Sequence, residues 1–236
     1  MIWGVSCYER PIDGYLNGAT PFPIRCDPGK GPVTWGAFMS ELYNKLNARL
    51  RSSKTPARSV NAIVNRGIDS SPVVDILLEF GPLLTVANEI VMVARCLRRP
   101  KKVFRKAVPW LLTLFHECPQ NGLNDGHLWA VGDSIYTIND KNSYPDVIEL
   151  CRQGIKYTSA RQMLMGTLAR AKTDAAYDVL IECLDDPTVF AHAIEGLGRF
   201  GRTEGIPILE AINVRKGYYE AKAKETALRR LRSKLS

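Results

Sequence analysis

The stretch from Ala160 to Asn213 constrains the fold most strongly, because it contains the same helical hairpin twice. Apolar positions of the first copy return about 29 residues later, so that Leu168 corresponds to Leu197 and Val179 corresponds to Ile208. Self-similarity at a fixed period of this size is typical of repeat architectures. The sequence therefore predicts an all-α chain of stacked helical hairpins.

A third copy precedes these two, and a half copy follows them. Ile135 and Tyr144 match Leu168 and Tyr177 at an offset of about 33 residues, and residues 220–231 supply the last half-repeat. Each hairpin buries its apolar face only against a neighbour, and about three units are enough for a continuous stack. The stack is therefore expected to include most of the second half of the chain.

The later of the two clear copies carries a recognisable motif. It consists of Asp186, Val189, Ala193, Leu197 and Gly201. This motif resembles the Asp-x-x-Val-Arg-x-x-Ala-x-x-x-Leu-x-x-x-Gly signature of HEAT repeats, particularly the short bacterial repeats also found in phycobilin lyases. The earlier copy has the family's Arg at Arg161 but Leu164 in place of its Ala, and the later copy has Phe190 in place of the Arg. The resemblance covers residues 124–236 and implies a right-handed α-solenoid, whereas HEAT modules serve many functions.

The chain divides into three predicted parts. Residues 1–34 are dense in Pro and Gly, which forbids a long helix and predicts an irregular arm. Residues 35–122 are expected to form N-terminal helices with degenerate HEAT-like hairpins. Residues 123–236 hold the clear repeats and a C-terminal capping helix. The helices expected in the middle part are 35–50 with Thr34 as its cap, 60–65, 73–80, 83–97 and 103–118, with Pro109 kinking the last or starting a new one.

Composition indicates an ordinary globular protein. Hydrophobic residues make up 45% of the 236 and charged residues 24%, which excludes a disordered chain. No basic region leads into an apolar run at the N-terminus, and the apolar stretch 82–94 is too short to span a bilayer, so we expect a cytoplasmic protein. The six cysteines lack the paired spacing of a zinc site, and Cys96, Cys151 and Cys183 are expected to be buried free thiols. No metal or other cofactor is expected.

The net charge of +8 is concentrated outside the clear repeats. Its densest part is a basic cluster around Pro100 that consists of Arg95, Arg98, Arg99, Lys101, Lys102, Arg105 and Lys106. Such a cluster can track a phosphate backbone or meet an acidic protein. It can also be a solvated turn whose cations favour the C-terminal end of the preceding helix. A second basic set on the last half-repeat fits a polar capping face.

The HEAT resemblance also implies where a partner would bind. In HEAT repeats the second helix of each hairpin lines the concave face, and here those helices are expected at 128–138, 161–171 and 190–200. Residues spaced by four would form one exposed row on each helix. The rows are Trp129, Asp133 and Thr137; Gln162, Gly166 and Arg170; and Ala191, Glu195 and Arg199. We call Trp129, Asp133, Gln162, Arg170, Glu195 and Arg199 the predicted inner-face residues, although Trp129 could equally belong to the core.

These features favour a non-catalytic protein-binding module over an enzyme. The mixed charge of the rows suits a protein partner, and the basic rim suits an acidic surface on it, as for an adaptor or an inhibitor such as a bacterial toxin-immunity protein. No nucleophile–base pair is evident, and His116, His127 and His192 lack metal-ligand spacing. The alternative is nucleic-acid binding. The chain resembles the HEAT-like alkylpurine DNA glycosylases in size, helicity and charge. Those enzymes depend on concave aromatic residues and a catalytic Asp, which only Trp110, Trp129 and Asp133 could supply here. A phycobilin-lyase function would rest on the repeat type alone.

Overall fold

The described part of the protein is entirely helical. The computed structural model describes residues 39–118, 120–153 and 158–235, and the predicted arm at 1–34 lies outside them. These ranges contain twelve α-helices and no strand, which confirms the all-α prediction. The helices are α1 (Glu41–Ser52), α2 (Val60–Arg66), α3 (Val74–Phe80), α4 (Ala87–Cys96), α5 (Val108–His116), α6 (Asp125–Ile138), α7 (Tyr144–Arg152), α8 (Gln162–Ala171), α9 (Asp174–Glu182), α10 (Phe190–Phe200), α11 (Gly205–Ala211) and α12 (Tyr219–Arg232). None of the helices in these ranges has the length and hydropathy needed to cross a bilayer.

The even-numbered helices pack side by side in chain order. α4 packs between α2 and α6, α8 packs between α6 and α10, and α10 packs between α8 and α12. We call this set the even-helix layer. Odd-numbered helices join its members: α7 and α9 both pack against α8, and α11 packs against α12. Apolar side chains from both sets form one continuous core.

From α4 to α12 the helices of the even-helix layer run parallel to one another, whereas the first residue of α2, Val60, contacts the last residue of α4, Cys96. At their N-terminal ends, His127 of α6 contacts Asn88 of α4 at 3.3 Å, and Gln162 of α8 donates to the carbonyl of Thr188 just before α10 at 2.7 Å. At the opposite ends, Lys172 after α8 donates to the carbonyl of Arg199 in α10 at 2.7 Å. The C-terminal ends of α4, α6, α8, α10 and α12 therefore lie along one side, which we call the carboxyl edge.

The predicted repeat spacing recurs in the way the helices end. Asn139, Lys172 and Gly201 terminate α6, α8 and α10 in the left-handed backbone conformation, with φ of 55°, 57° and 82°. A left-handed residue after the last turn is a common helix terminator. The corresponding positions Ile135, Leu168 and Leu197 are each 1% exposed, and Cys96, Cys151 and Cys183 are buried free thiols, as the sequence predicts.

The first helix begins later than the sequence pattern predicts. α1 starts at Glu41 and residues 39 and 40 are not helical, while the predicted start at Trp35 and cap at Thr34 lie outside the described residues. The N-cap of α1 is Ser40, because its hydroxyl accepts a hydrogen bond from the Tyr43 amide at 3.1 Å. Ser40 also donates to the buried Glu89 carboxylate, through its amide at 2.7 Å and its hydroxyl at 2.6 Å. A contact across 49 residues therefore fixes the position of the cap.

Two helices predicted as continuous are shortened by 3₁₀ turns. The segment Gly81–Leu83 is a 3₁₀ turn, and α4 begins only at Ala87. The segment Lys102–Ala107 is also 3₁₀, and α5 starts at Val108 with Pro109 in its first turn. Proline is favoured there because the first-turn amides have no partner within the helix. Pro109 therefore begins a new helix and does not kink a longer one.

Candidate partner-binding surface

The predicted inner-face residues lie on three adjacent helices of the even-helix layer. Trp129 and Asp133 are on α6, Gln162 and Arg170 on α8, and Glu195 and Arg199 on α10. Arg170 and Arg199 are exposed, the other four are half-buried, and Trp129 packs partly against the core. Of the six, Glu195 and Arg199 contact each other, whereas Gln162 and Arg170 lie at opposite ends of α8.

Two members of the predicted rows are not exposed. Ala191 is 9% exposed and belongs to the buried side of α10. Gly166 lies close under the ring of Tyr136. A Cβ atom at this position would be only 2.6 Å from a ring carbon. The four-residue spacing predicted surface residues at both positions, but both lie at the boundary between the surface and the core.

An arginine and a tyrosine join α6 to α8. The guanidinium carbon of Arg170 lies 3.8 Å from the centroid of the Tyr136 ring, and the same group donates to the Tyr136 carbonyl at 2.5 Å. Cations over aromatic faces are attracted by the negative face of the ring. Arg170 is therefore held in place while its side chain remains exposed.

A carboxylate links α10 to α12. Glu195 accepts hydrogen bonds from Arg199 at 3.2 Å and from the Tyr219 hydroxyl at 2.7 Å. Burial raises the pKa of Tyr219, and its bond to Glu195 raises it further. Tyr219 remains 44% exposed. Tyr219 is not among the predicted inner-face residues, because it stands in a helix interpreted as a cap. Its signal in the sequence is a Tyr close to Arg215, Lys216 and Lys222.

The basic cluster is partly neutralised by carboxylates. Arg98 pairs with Asp133 at 2.5 Å, Lys101 pairs with Asp69 at 2.7 Å, and Lys106 pairs with Asp75. Hydrogen bonds from Lys101 and Ser71 lower the pKa of Asp69 to about 2. Arg99 donates to the carbonyl of Ile68 at 3.3 Å. Three members are exposed and form no ion pair with a carboxylate of the described ranges: Arg95, Lys102 and Arg105.

One ion pair connects the basic cluster to the predicted inner-face residues. Arg98 lies beyond the end of α4 and reaches Asp133 in the middle of α6. Burial raises the pKa of Asp133, and the opposing charges of Arg98 and Arg95 reduce the rise without cancelling it. Two features that are separate in the sequence therefore form one surface.

Arg161, the arginine of the HEAT-like motif, is buried and has a structural role. Arg161 is 1% exposed, donates to the carbonyl of Cys151 at 3.0 Å, and pairs with Asp186. Burial acts to raise the pKa of Asp186, but hydrogen bonds from Thr188 and Arg161 outweigh it and hold the pKa below its ordinary value. Asp186 thus closes the turn before α10 and is not available as a catalytic carboxylate.

A groove of about 410 Å³ lies away from these residues. It is lined by Gly81, Pro82, Leu84, Thr85, Ile90, Trp110, Thr113, Leu114, Glu117, Gln120, Asn121 and Gly122. Glu117 is its one titratable lining residue, so the groove offers no acid–base pair. Among the residues that the structure covers, no three His, Cys, Asp or Glu side chains are grouped so that they could hold a metal ion.

Comparisons with protein-family models, with curated proteins and with solved structures gave no match to the chain.

Proposed function

We propose that this protein is a HEAT-type helical-repeat module that binds another protein without catalysing a reaction. In this proposal the even-helix layer is the concave side of a right-handed solenoid. The parallel packing of the even-numbered helices from α4 to α12 and the left-handed terminators at Asn139, Lys172 and Gly201 support the repeat interpretation. The hand is the one that the sequence resemblance implies.

The observation that carries the proposal is the polar network across neighbouring even-numbered helices. Arg98 reaches Asp133, Arg170 stacks on Tyr136, and Glu195 accepts from Tyr219. These contacts hold charged groups of both signs at fixed positions beside the half-buried Trp129. Aromatic and arginine anchors with a mixed polar surround are typical of protein interfaces.

The partner is expected to have an acidic surface, because the cations Arg95, Lys102 and Arg105 border this surface without ion partners in the described chain. Binding would work by occlusion, with shape and charge covering a site on the partner. An adaptor or an inhibitor, such as a toxin-immunity protein, acts in this way. Nucleic-acid binding through the same cations is the second candidate.

The test compares two identical substitutions on opposite sets of helices. The tagged protein is used to capture partners from its native lysate, with and without nuclease, beside the variants Glu195→Arg and Glu182→Arg. Glu182 is exposed on α9, which is not part of the even-helix layer. We expect one protein at near-equal amount that survives nuclease and is lost only with Glu195→Arg.

Two results would contradict the proposal. Recovery of nucleic acid, with associated proteins lost on nuclease treatment, would favour the second candidate. A complex that Glu195→Arg leaves intact would place the binding surface elsewhere on the chain.

A further inference from the structure

Four arginines from three segments of the chain surround the carboxyl end of α6. Arg95 is in the last turn of α4, and Arg98 follows that helix and pairs with Asp133 of α6. Arg105 is exposed on the 3₁₀ segment Lys102–Ala107, which packs against α6. Arg170 comes from the opposite side, from α8. We call Arg95, Arg98, Arg105 and Arg170 the arginine cluster.

The electrostatic influence of these arginines overlaps at α6 and at the start of α7. Burial raises the pKa of Tyr144, and Arg170 and Arg105 both oppose that rise, while Asp140 adds to it. Arg98 and Arg95 act together on Asp133 in the same sense. In these interactions four guanidinium groups stand against the carboxylates of Asp133 and Asp140, which leaves an excess of positive charge.

Most cations that flank this positive region along the carboxyl edge are engaged within the chain, and Lys172 after α8 donates to the carbonyls of Arg199 and Phe200. Towards α10, Arg199 is paired with Glu195, and Arg202 is paired with Asp174. On the other side, Lys101 and Lys106 are paired with the carboxylates of Asp69 and Asp75. A nucleic-acid backbone is held by many phosphate contacts along an extended track. A confined excess of charge suits a short acidic segment better.

We propose that the arginine cluster binds a short acidic segment of the partner protein, which lies across the carboxyl end of α6 from α4 to α8. Packed helices are about 8–10 Å apart, so the distance from α4 to α8 is roughly 16–20 Å. An extended peptide covers this distance with about six residues. Guanidinium groups suit this role because they bind carboxylates through two parallel hydrogen bonds.

This inference rests on the proposed function and names the group that the partner presents. The residues that recognise the acidic segment also differ from the basic cluster, which was defined by proximity in the sequence. Arg170 joins the site from a segment far along the chain.

The experiment measures fluorescence anisotropy with labelled diglutamate, hexaglutamate and dodecaglutamate, and with a short DNA duplex, at physiological salt. We expect the affinity to rise from diglutamate to hexaglutamate and then to level off, because the cluster is covered. The double variant Arg95→Glu/Arg105→Glu should weaken hexaglutamate binding by about tenfold. The matched control Arg229→Glu/Arg230→Glu changes the net charge equally on the exposed side of α12 and should change binding less than about twofold.

Three outcomes would overturn the inference. Equal losses in the two double variants would mean that only net charge matters. DNA binding that is tighter than hexaglutamate binding and depends on Arg95 and Arg105 would make the patch a nucleic-acid site. A native complex that Glu195→Arg disrupts but Arg95→Glu/Arg105→Glu does not would leave the proposed function standing without this inference. Hexaglutamate binding that follows the arginines, with no native protein partner captured, would instead contradict the proposed function alone.

Discussion

At the scale of single residues, the pairing of Arg161 with Asp186 is the most demanding contact in the protein. A buried guanidinium loses its hydration, and the loss is offset only if its partners are well placed. Asp186 provides the charge, and the carbonyl of Cys151 accepts a second hydrogen bond. Asp186 also accepts from the amide and the hydroxyl of Thr188. One carboxylate therefore fixes both the turn and the buried arginine.

We predict that Asp186→Asn destabilises the protein by about 2–3 kcal/mol, because it leaves the Arg161 charge buried without a counterion. The figure is at the low end for buried pairs because the Asp186 side chain retains 28% exposure. Urea unfolding followed by circular dichroism measures the effect. Asp185→Asn removes the neighbouring exposed carboxylate and should change the free energy of unfolding by less than about 0.5 kcal/mol. Equal effects of the two changes would mean that the pair contributes nothing specific.

The same contact predicts how stability depends on pH. The folded pKa of Asp186 is below its ordinary value of 3.8, so its contribution is fully present above about pH 4. The contribution is lost as the pH falls through the lowered folded pKa, because the carboxyl group must then be protonated in the folded state. The difference in unfolding free energy between the wild type and Asp186→Asn should therefore shrink below about pH 4. A difference that stays constant down to pH 2 would contradict this assignment.

At the scale of elements, α10 is packed unusually closely against α12. A Cβ atom on Gly198 would lie 2.6 Å from the Cα atom of Ala227 and 2.7 Å from its Cβ atom. The obstacle is therefore the backbone of the neighbouring helix. At Gly196 a Cβ atom would meet the end of the Leu180 side chain at 2.6 Å, which can move, and the Met165 carbonyl oxygen only at 3.3 Å.

We predict that Gly198→Ala costs about 1–3 kcal/mol of unfolding free energy, since overpacking outweighs the gain of about 1 kcal/mol from helix propensity. Gly196→Ala in the same helix gains the same propensity, and the side chain that it meets can yield, so its cost should be smaller. Thermal unfolding of both variants measures the difference. Gly198→Ala with a stability equal to or above that of Gly196→Ala would show that α10 and α12 are further apart.

The end of a helix could be predicted from the sequence where a residue next to that end determines it. The ends of α8 and α10 follow the repeat spacing because each is set by one residue in the left-handed conformation, Lys172 or Gly201. The start of α1 could not be predicted, because its apolar period continues upstream to Trp35. Ser40 was selected as the cap by a hydrogen bond to Glu89, which is 49 residues away. A hydrogen bond between residues so far apart cannot be recognised from the sequence around the start of the helix.

At the scale of the whole molecule, the candidate surface was only partly predictable. The residues on α6, α8 and α10 could be named because the repeat relates equivalent positions along the chain. The arginine cluster could not be predicted, since it joins Arg170 to residues near Pro100 through the packing of α4, α6 and α8. The ion pairs of Lys101 and Lys106 were equally invisible, because their carboxylates are more than 30 residues away. Because the basic cluster was defined by sequence proximity alone, the number of its cations without an ion partner was overestimated.

In the even-helix layer the most extensive contacts join neighbouring helices, which predicts that the two ends of the described chain unfold separately. The stability of such a stack is the sum of its units and their interfaces, so a local defect should be felt mainly by adjacent helices. We predict that Leu231→Ala on α12 and Leu77→Ala on α3, both with 0% exposure in the wild type, each cost about 2–5 kcal/mol locally. In hydrogen exchange, Leu231→Ala should accelerate the amides of α10 to α12, and Leu77→Ala those of α1 to α4. Each variant is the control for the other, and a uniform acceleration over all twelve helices in both would mean that the chain unfolds as one cooperative unit.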